Sequence, residues 1–236
     1  MNFRDKGIII SKRMLKERSY IVTIFTEKHG IYSGVLQQYS KKTGDSLVEG
    51  NLVDFFWRAR LHEHLGSAKL ELIKSYNSHI IMSKAKLYAF NSIVSLLKIA
   101  FCERAPHNNL FPDLLRFIES LKHEFSFIEY IKLELSILAE AGYQLQLDKC
   151  AVSGSSENLY YVSPKSGKAV SKQAGAPYAS KLLKLPRFLT TNTEASKSDI
   201  QEALTLTSYF FERYITPNNP QPKARVCFVE FLRDDN

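Results

Sequence analysis

"GIIISKRMLKERSYIVTIFTEKHGIYSGVL", Gly7 to Leu36, decides the fold. Three apolar runs stand in it, Gly7–Lys12, Tyr20–Phe25 and Ile31–Leu36. Each is rich in β-branched and aromatic residues, which suit a pleated, half-buried surface. Charged "KRMLKER" joins the first two and "TEKHG" turns the second into the third, so the stretch predicts a β-meander. Polar "QYSKKTGDS" then separates a fourth run, Leu52–Arg60, from a fifth, Lys69–Lys74, with "HEHLG" as the turn between them. Five short antiparallel strands in about 75 residues fit a small Greek-key barrel of the OB type, a common oligonucleotide-binding scaffold. Fold alone does not give function.

From Ser78 the apolar period changes. Ile80, Ile81, Lys84, Ala85, Tyr88, Ala89 and the run to Phe101 predict a helix buried on most sides. Pro112 opens "DLLRFIESLKHEF", whose Leu114, Phe117, Ile118, Leu121 and Phe125 follow helical spacing, and Pro is favoured in a first turn. Ile128, Ile131, Leu135 and Leu138 continue the pattern to Gly142, a predicted C-cap, and these three helices are expected to form one bundle. Ser198 with Gln201 predicts a capping box for a later helix through Leu204, Phe210, Phe211 and Tyr214, stopped by Pro217. The expected class is α+β. Its parts are a barrel over 1–77, a helical domain over 78–142 with 195–216 packed on it, a loop-rich region over 143–194, and a tail over 217–236.

The formal net charge is +8, a balance that favours an acidic partner such as nucleic acid. Residues 1–74 hold 13 Lys/Arg against 8 Asp/Glu, so the N-terminal third is the stronger candidate for anion binding. No apolar run exceeds four residues, against the roughly 20 needed to span a bilayer. The start carries no secretory h-region. Cys102, Cys150 and Cys227 are few, distant and odd in number, which suits a reducing compartment, and the expected location is cytoplasmic.

Tests for enzymatic chemistry are negative. There is no phosphate-binding G-x-x-x-x-G-K-[ST], no G-x-G-x-x-G, no G-x-S-x-G and no H-E-x-x-H. His62 and His64 would share a face of a strand and could hold a metal, but a polar turn or a solvent-facing pair is the favoured reading, since no carboxylate or cysteine is tied to them. Cys150 begins a stretch that looks like a zinc ribbon. It is the only cysteine from Gly142 to Pro186, and that span has no histidine. A structural zinc needs about four ligands, so Cys150 reads as a small buried apolar residue and no metal or cofactor is expected.

Basic residues interleaved with aromatics are the remaining signal. Lys12, Arg13, Lys16 and Arg18 crowd one hairpin, Lys41 and Lys42 lie on a loop, and Arg58, Arg60 and Lys69 flank the fourth and fifth strands beside Phe55, Phe56 and Trp57. Such cations can track a phosphate backbone and exposed aromatic faces can stack on unpaired bases. A merely solvated basic face is the plain alternative, and Trp57 fits either barrel core or stacking platform. From Asn158 to Thr193 six further cations (Lys165, Lys168, Lys172, Lys181, Lys184 and Arg187) occur with no acid. They suit phosphate contact, a soluble loop surface or an acidic protein partner.

Several stretches, in order, resemble the RecO family of bacterial recombination mediators. "DKGIIISKRMLKERSYIVTIFTEKHGIYSGVLQ" resembles its opening strands and "WRARLHEHLG" its fourth strand and turn. "ELSILAEAGYQLQLDKCAVSG" with "LYYVSPKSGKAVS" resembles the passage into its third region, and Lys223–Arg225 its tail. The resemblance implies an OB barrel, a helical domain and a third region that holds zinc in some members through four cysteines. It implies a non-enzymatic protein that binds single- and double-stranded DNA, anneals complementary strands, engages the C-terminal tail of single-strand binding protein, and works with RecR to load RecA. It also strengthens the barrel cations as DNA contacts. Arg104, Arg116, Lys122 and Lys132 are candidates on charge for the tail-binding site. Here the chain departs from the family's zinc pattern: Cys150 stands at the first ligand position, Ser153 at the second, and the later pair is missing, so a ribbon-like region without its metal is expected. The competing reading is a protein-binding adaptor with little direct DNA affinity.

Overall fold

The computed structural model describes residues 1–37, 47–61, 63–191 and 193–234. The chain is α+β and divides into two compact units, Met1–Phe125 and Ser126–Asn236.

In the first unit five strands close into a barrel: β1 (Asn2–Lys16), β2 (Ser19–Thr26), β3 (Gly30–Gln37), β4 (Leu52–Arg58) and β5 (Ser67–Lys74), in the order β1-β2-β3-β5-β4. β1 is far longer than the apolar run that signalled it. Its first half pairs with β4, from Asn2 opposite Arg58 to Ile8 opposite Leu52, and its second half with β2. The polar start "NFRDK" hides this role. Asp5 is buried there because it accepts from the Lys6 and Lys28 backbone N–H groups and lies 2.8 Å from His29 Nδ1. A buried carboxylate is tolerable only with such partners.

Alternation along β2 sends Val22 and Ile24 inward, where they meet Ile9, Val53, Phe55 and Trp57. Trp57 is core: its indole N–H donates to the Ser33 carbonyl at 3.0 Å and the Leu65 carbonyl at 3.1 Å. Among the described residues three helices complete this unit: α1 (Asn77–Ile81), α2 (Lys84–Ala100) and α3 (Leu110–Ser120). Phe111 of α3 stacks on Phe25 of β2, with ring centroids 6.4 Å apart.

α4 (Phe127–Glu140) belongs to the second unit, so the three helices read as one bundle fall on both sides of the division. Gly142, at φ 91°, ends α4 in the left-handed conformation that glycine adopts without strain. A small sheet follows, in the order β7-β6-β8, from β6 (Leu159–Val162), β7 (Ala169–Ser171) and β8 (Leu183–Lys184). A short α5 (Lys172–Gly175) leaves β7. α6 (Lys197–Phe210) is capped by Ser196 and Asp199, two residues before the expected Ser198–Gln201 box. Asp199 also accepts the Arg187 backbone N–H, a tertiary contact that selects this box over its neighbour.

α6 runs into one π turn, Phe211–Ile215. Within the stretch expected as a tail, Lys223–Asp234 form α7. Arg225 of α7 is buried and holds Glu134 of α4 with two bonds of 2.7 and 3.1 Å. Thr207 and Ser208 accept from the same guanidinium, and Tyr130 donates to Glu134. Burial works against the Arg225 charge, but the Glu134 carboxylate prevails and its pKa stays raised.

Candidate nucleic-acid interface

The residues of β2 that do not enter the barrel core face outward. Register sets Arg13 opposite Ile21, and Thr23 opposite Ser11 on one side and Ser33 on the other. These side chains, with Ile31, floor a groove of about 520 Å³. Its far wall comes from the last turn of α2, with Lys98, and the chain leaving it, with Phe101 and Glu103. That chain returns because Glu103 bridges Ile31 in parallel and the Arg104 N–H donates to the Ile31 carbonyl at 2.8 Å. Gly30 permits the approach. A Cβ there would stand 1.8 Å from the Ala105 carbonyl oxygen, and its φ is 77°.

The groove is chemically divided. Ser33 donates to the Glu103 carboxylate and exchanges a 3.0 Å bond with Thr23, so one acid is fixed in place. Arg13 and Lys98 supply the cations. Burial pushes the Lys98 pKa down, opposed by Glu49. Ile21 gives apolar surface, with the buried Ile31 and Phe101 lining the groove beside it. Phosphate would be drawn to Arg13 and Lys98 and repelled from Glu103, while the apolar surface can take base faces and a carboxylate can accept from a base amine.

The expected cations are not one cluster. Arg13 lines this groove, whereas the Lys12 ammonium donates to the Leu47 carbonyl at 3.0 Å. Lys16 and Arg18 are exposed at the β1–β2 turn. Arg58 and Arg60 share a second groove of about 610 Å³ with Ser67. Lys69 pairs across the ladder with half-exposed Phe56. Lys41, Lys42 and His62 lie outside the described residues.

The four tail-binding candidates are dispersed as well. Arg104 sits over the Tyr32 and Trp57 rings and donates to the His64 carbonyl. Arg116 pairs with Asp113. Lys122 lies 4.9 Å from the Tyr76 ring centroid, its pKa lowered by the Lys74 ammonium. Lys132 pairs with Glu129 in the second unit. In the later basic segment, Lys184 donates to the Tyr160 hydroxyl at 2.9 Å and lowers its pKa, with Lys172 over the same ring.

Sequence reading missed Ser11, Thr23, Ser33, Lys98, Phe101 and Glu103. The strand positions were available from alternation, since each is two residues from an outward neighbour. Nothing local in "KIAFCER" signals its return to β3.

Cys150 is buried, and its sulfur accepts from the Ser171 N–H at 3.2 Å and the Ser153 N–H at 3.5 Å. Burial raises the thiol pKa, but these bonds and the Ser153 and Ser171 hydroxyls outweigh it and bring it to about 6. Among the described residues no three His, Cys, Asp or Glu side chains gather as a metal site.

Comparison with known proteins settles the lineage. Two family models match, the Recombination protein O N terminal domain over residues 1–76 and the Recombination protein O C terminal domain over residues 84–222. The chain belongs to the RecO family. The DNA repair protein RecO of Rickettsia bellii (strain OSU 85-389) is 52% identical over 233 residues, covering 98% of this chain and 97% of its own. Those of Rickettsia conorii and Rickettsia felis are 51% and 50% identical, the latter over the whole of both chains. Membership of the RecO family supports a role in DNA repair and recombination. Among the described residues no helix is long and apolar enough to cross a membrane.

Proposed function

We propose that this chain is a non-enzymatic mediator of DNA repair and recombination. It binds single- and double-stranded DNA on the barrel, residues 1–77, which we read as an OB fold. It anneals complementary strands and helps RecR load RecA onto DNA coated by single-strand binding protein. The observation that carries the reading is the outward β1–β3 groove, with cations at Arg13 and Lys98 and apolar surface between. The order β1-β2-β3-β5-β4 of a closed barrel agrees with it.

The mechanism needs neither hydrolysis nor a cofactor. Lys12, Arg13, Lys16, Arg18, Lys41, Lys42, Arg58, Arg60 and Lys69 displace counterions from phosphate, which lowers the repulsion between two like-charged strands while base pairing proceeds. Arg104, Arg116, Lys122 and Lys132 are the cations we assign to the tail of single-strand binding protein. Residues 143–194 are read as a ribbon-like region in which hydrogen bonds to Cys150 stand where metal bonds would be. The protein would work in the cytoplasm, at the nucleoid.

The test is a titration of a labelled single-stranded oligonucleotide at several salt concentrations, followed by addition of its complement. Binding should weaken as salt rises, with a log–log slope near −0.7 per phosphate contacted, roughly −3 to −5 in all. Annealing should accelerate without ATP. No binding at low salt would overturn the reading and favour the protein-binding adaptor.

A further inference from the structure

The β1–β2 hairpin ends in a feature that phosphate binding leaves unexplained. Met14 and Leu15 are adjacent, yet they are 63% and 47% exposed. A regular half-buried strand hides one of two neighbours, because successive side chains point to opposite faces. The ladder is irregular here: Met14 pairs with Tyr20 and Lys16 with Ser19, which leaves Leu15 as an extra residue. A bulge of this kind re-aims side chains and is common at sheet edges and beside functional sites.

The surroundings are cationic and anchored. Lys12, Arg13, Lys16 and Arg18 surround the pair, with Glu17 as the one acid from Lys12 to Arg18. Ser19 donates to the Gln37 side chain at 2.8 Å, which fixes the base of the turn to β3. Arg13, next to Met14, also lines the β1–β3 groove. A strand whose phosphates follow that groove therefore runs toward the apolar tip.

Resting on the DNA-binding reading above, we propose that Met14 and Leu15 form an apolar wedge for an unpaired or terminal base at a single-strand/duplex junction. Exposed apolar side chains next to cations gain by covering a base face, and they serve this way where proteins unstack base steps. The end of a duplex is favoured because its last base has one free face and little pairing to give up. The wedge would also hold an annealing front open to the incoming strand.

The experiment places 2-aminopurine at a junction and compares the full chain with M14S/L15S. Wild type should raise the probe's fluorescence and bind the junction better than plain single strand. M14S/L15S should lose the fluorescence rise and weaken junction binding by about three- to tenfold, as expected for losing partial burial of two apolar side chains. It should keep the salt slope, since every cation remains. The swap M14L/L15M, with matched thermal midpoint, should restore both signals. Unchanged junction fluorescence in M14S/L15S overturns the wedge alone, with DNA binding standing. Equal weakening on all DNAs with a shallower salt slope also overturns it, because the residues would then merely support the cations. Binding to anionic phospholipid vesicles that DNA does not compete away would assign the tip to a membrane surface instead. Absence of wild-type binding to any DNA overturns the reading on which the wedge rests, and the wedge with it.

Discussion

The apolar cluster of the barrel and a buried ion pair in the second unit are opposite kinds of centre. The barrel's buried cluster is apolar, and its one indole N–H is satisfied by two neutral carbonyls. In the second unit a guanidinium and a carboxylate face each other inside the protein, Arg225 of α7 on Glu134 of α4. Apolar burial stabilises in proportion to area and tolerates small change, whereas a buried ion pair depends on both members being present. The ion pair is therefore the more fragile of the two centres to a single substitution.

The largest effect tests that contrast directly. Arg225→Met leaves Glu134 buried without its counter-charge, and urea denaturation should show a loss of about 3–5 kcal/mol. Adding Glu134→Leu should recover most of it. If the single substitution were harmless, the contrast would fail. Next comes Trp57→Phe, which keeps most of the apolar volume but removes the N–H that donates to the Ser33 and Leu65 carbonyls. A loss of about 1–3 kcal/mol is expected, read from the thermal midpoint.

Cys150 sharpens the comparison through pH. Its folded thiol, at about 6, lies below the ordinary value of 9.0. A depressed acid contributes stability that is full above the unfolded value and disappears as pH falls through the folded one. The stability gap between wild type and Cys150→Ala should be widest above pH 9 and shrink toward pH 6. Denaturant midpoints across that window measure it, and a gap that widened on acidification would contradict the thiolate's role. Smallest of all is Lys132→Ala, which removes an exposed i, i+3 pair with Glu129. It should change stability by under about 0.5 kcal/mol in the same unfolding assay.

Local pattern made the barrel legible and left the groove half-read. Three β-rich runs with turns between them can scarcely be anything but a meander, and strand alternation already separates Val22 from Thr23. Two things were hidden. β1 begins in polar residues because Asp5 finds its donors only after folding, and the far wall of the groove depends on a chain reversal after Phe101. Arg225 was hidden for the same reason, since its partner is 91 residues earlier in sequence. The capping box of α6 shows the limit in small: Ser196 and Ser198 offer similar patterns, and a contact to Arg187 decides between them.

The double duty of β1 has a consequence for synthesis. Its second half meets β2 as a local hairpin, but its first half waits for β4, about 50 residues further along the chain. Local contacts form early and distant ones late, so the meander should assemble while half of β1 still has a bare edge. At roughly 5–20 residues per second that interval lasts seconds on the ribosome. Bare edges recruit strands from other chains, and charges on them discourage it. The run Arg4, Asp5, Lys6, which obscured the strand in the sequence, is well placed to guard it until the barrel shuts.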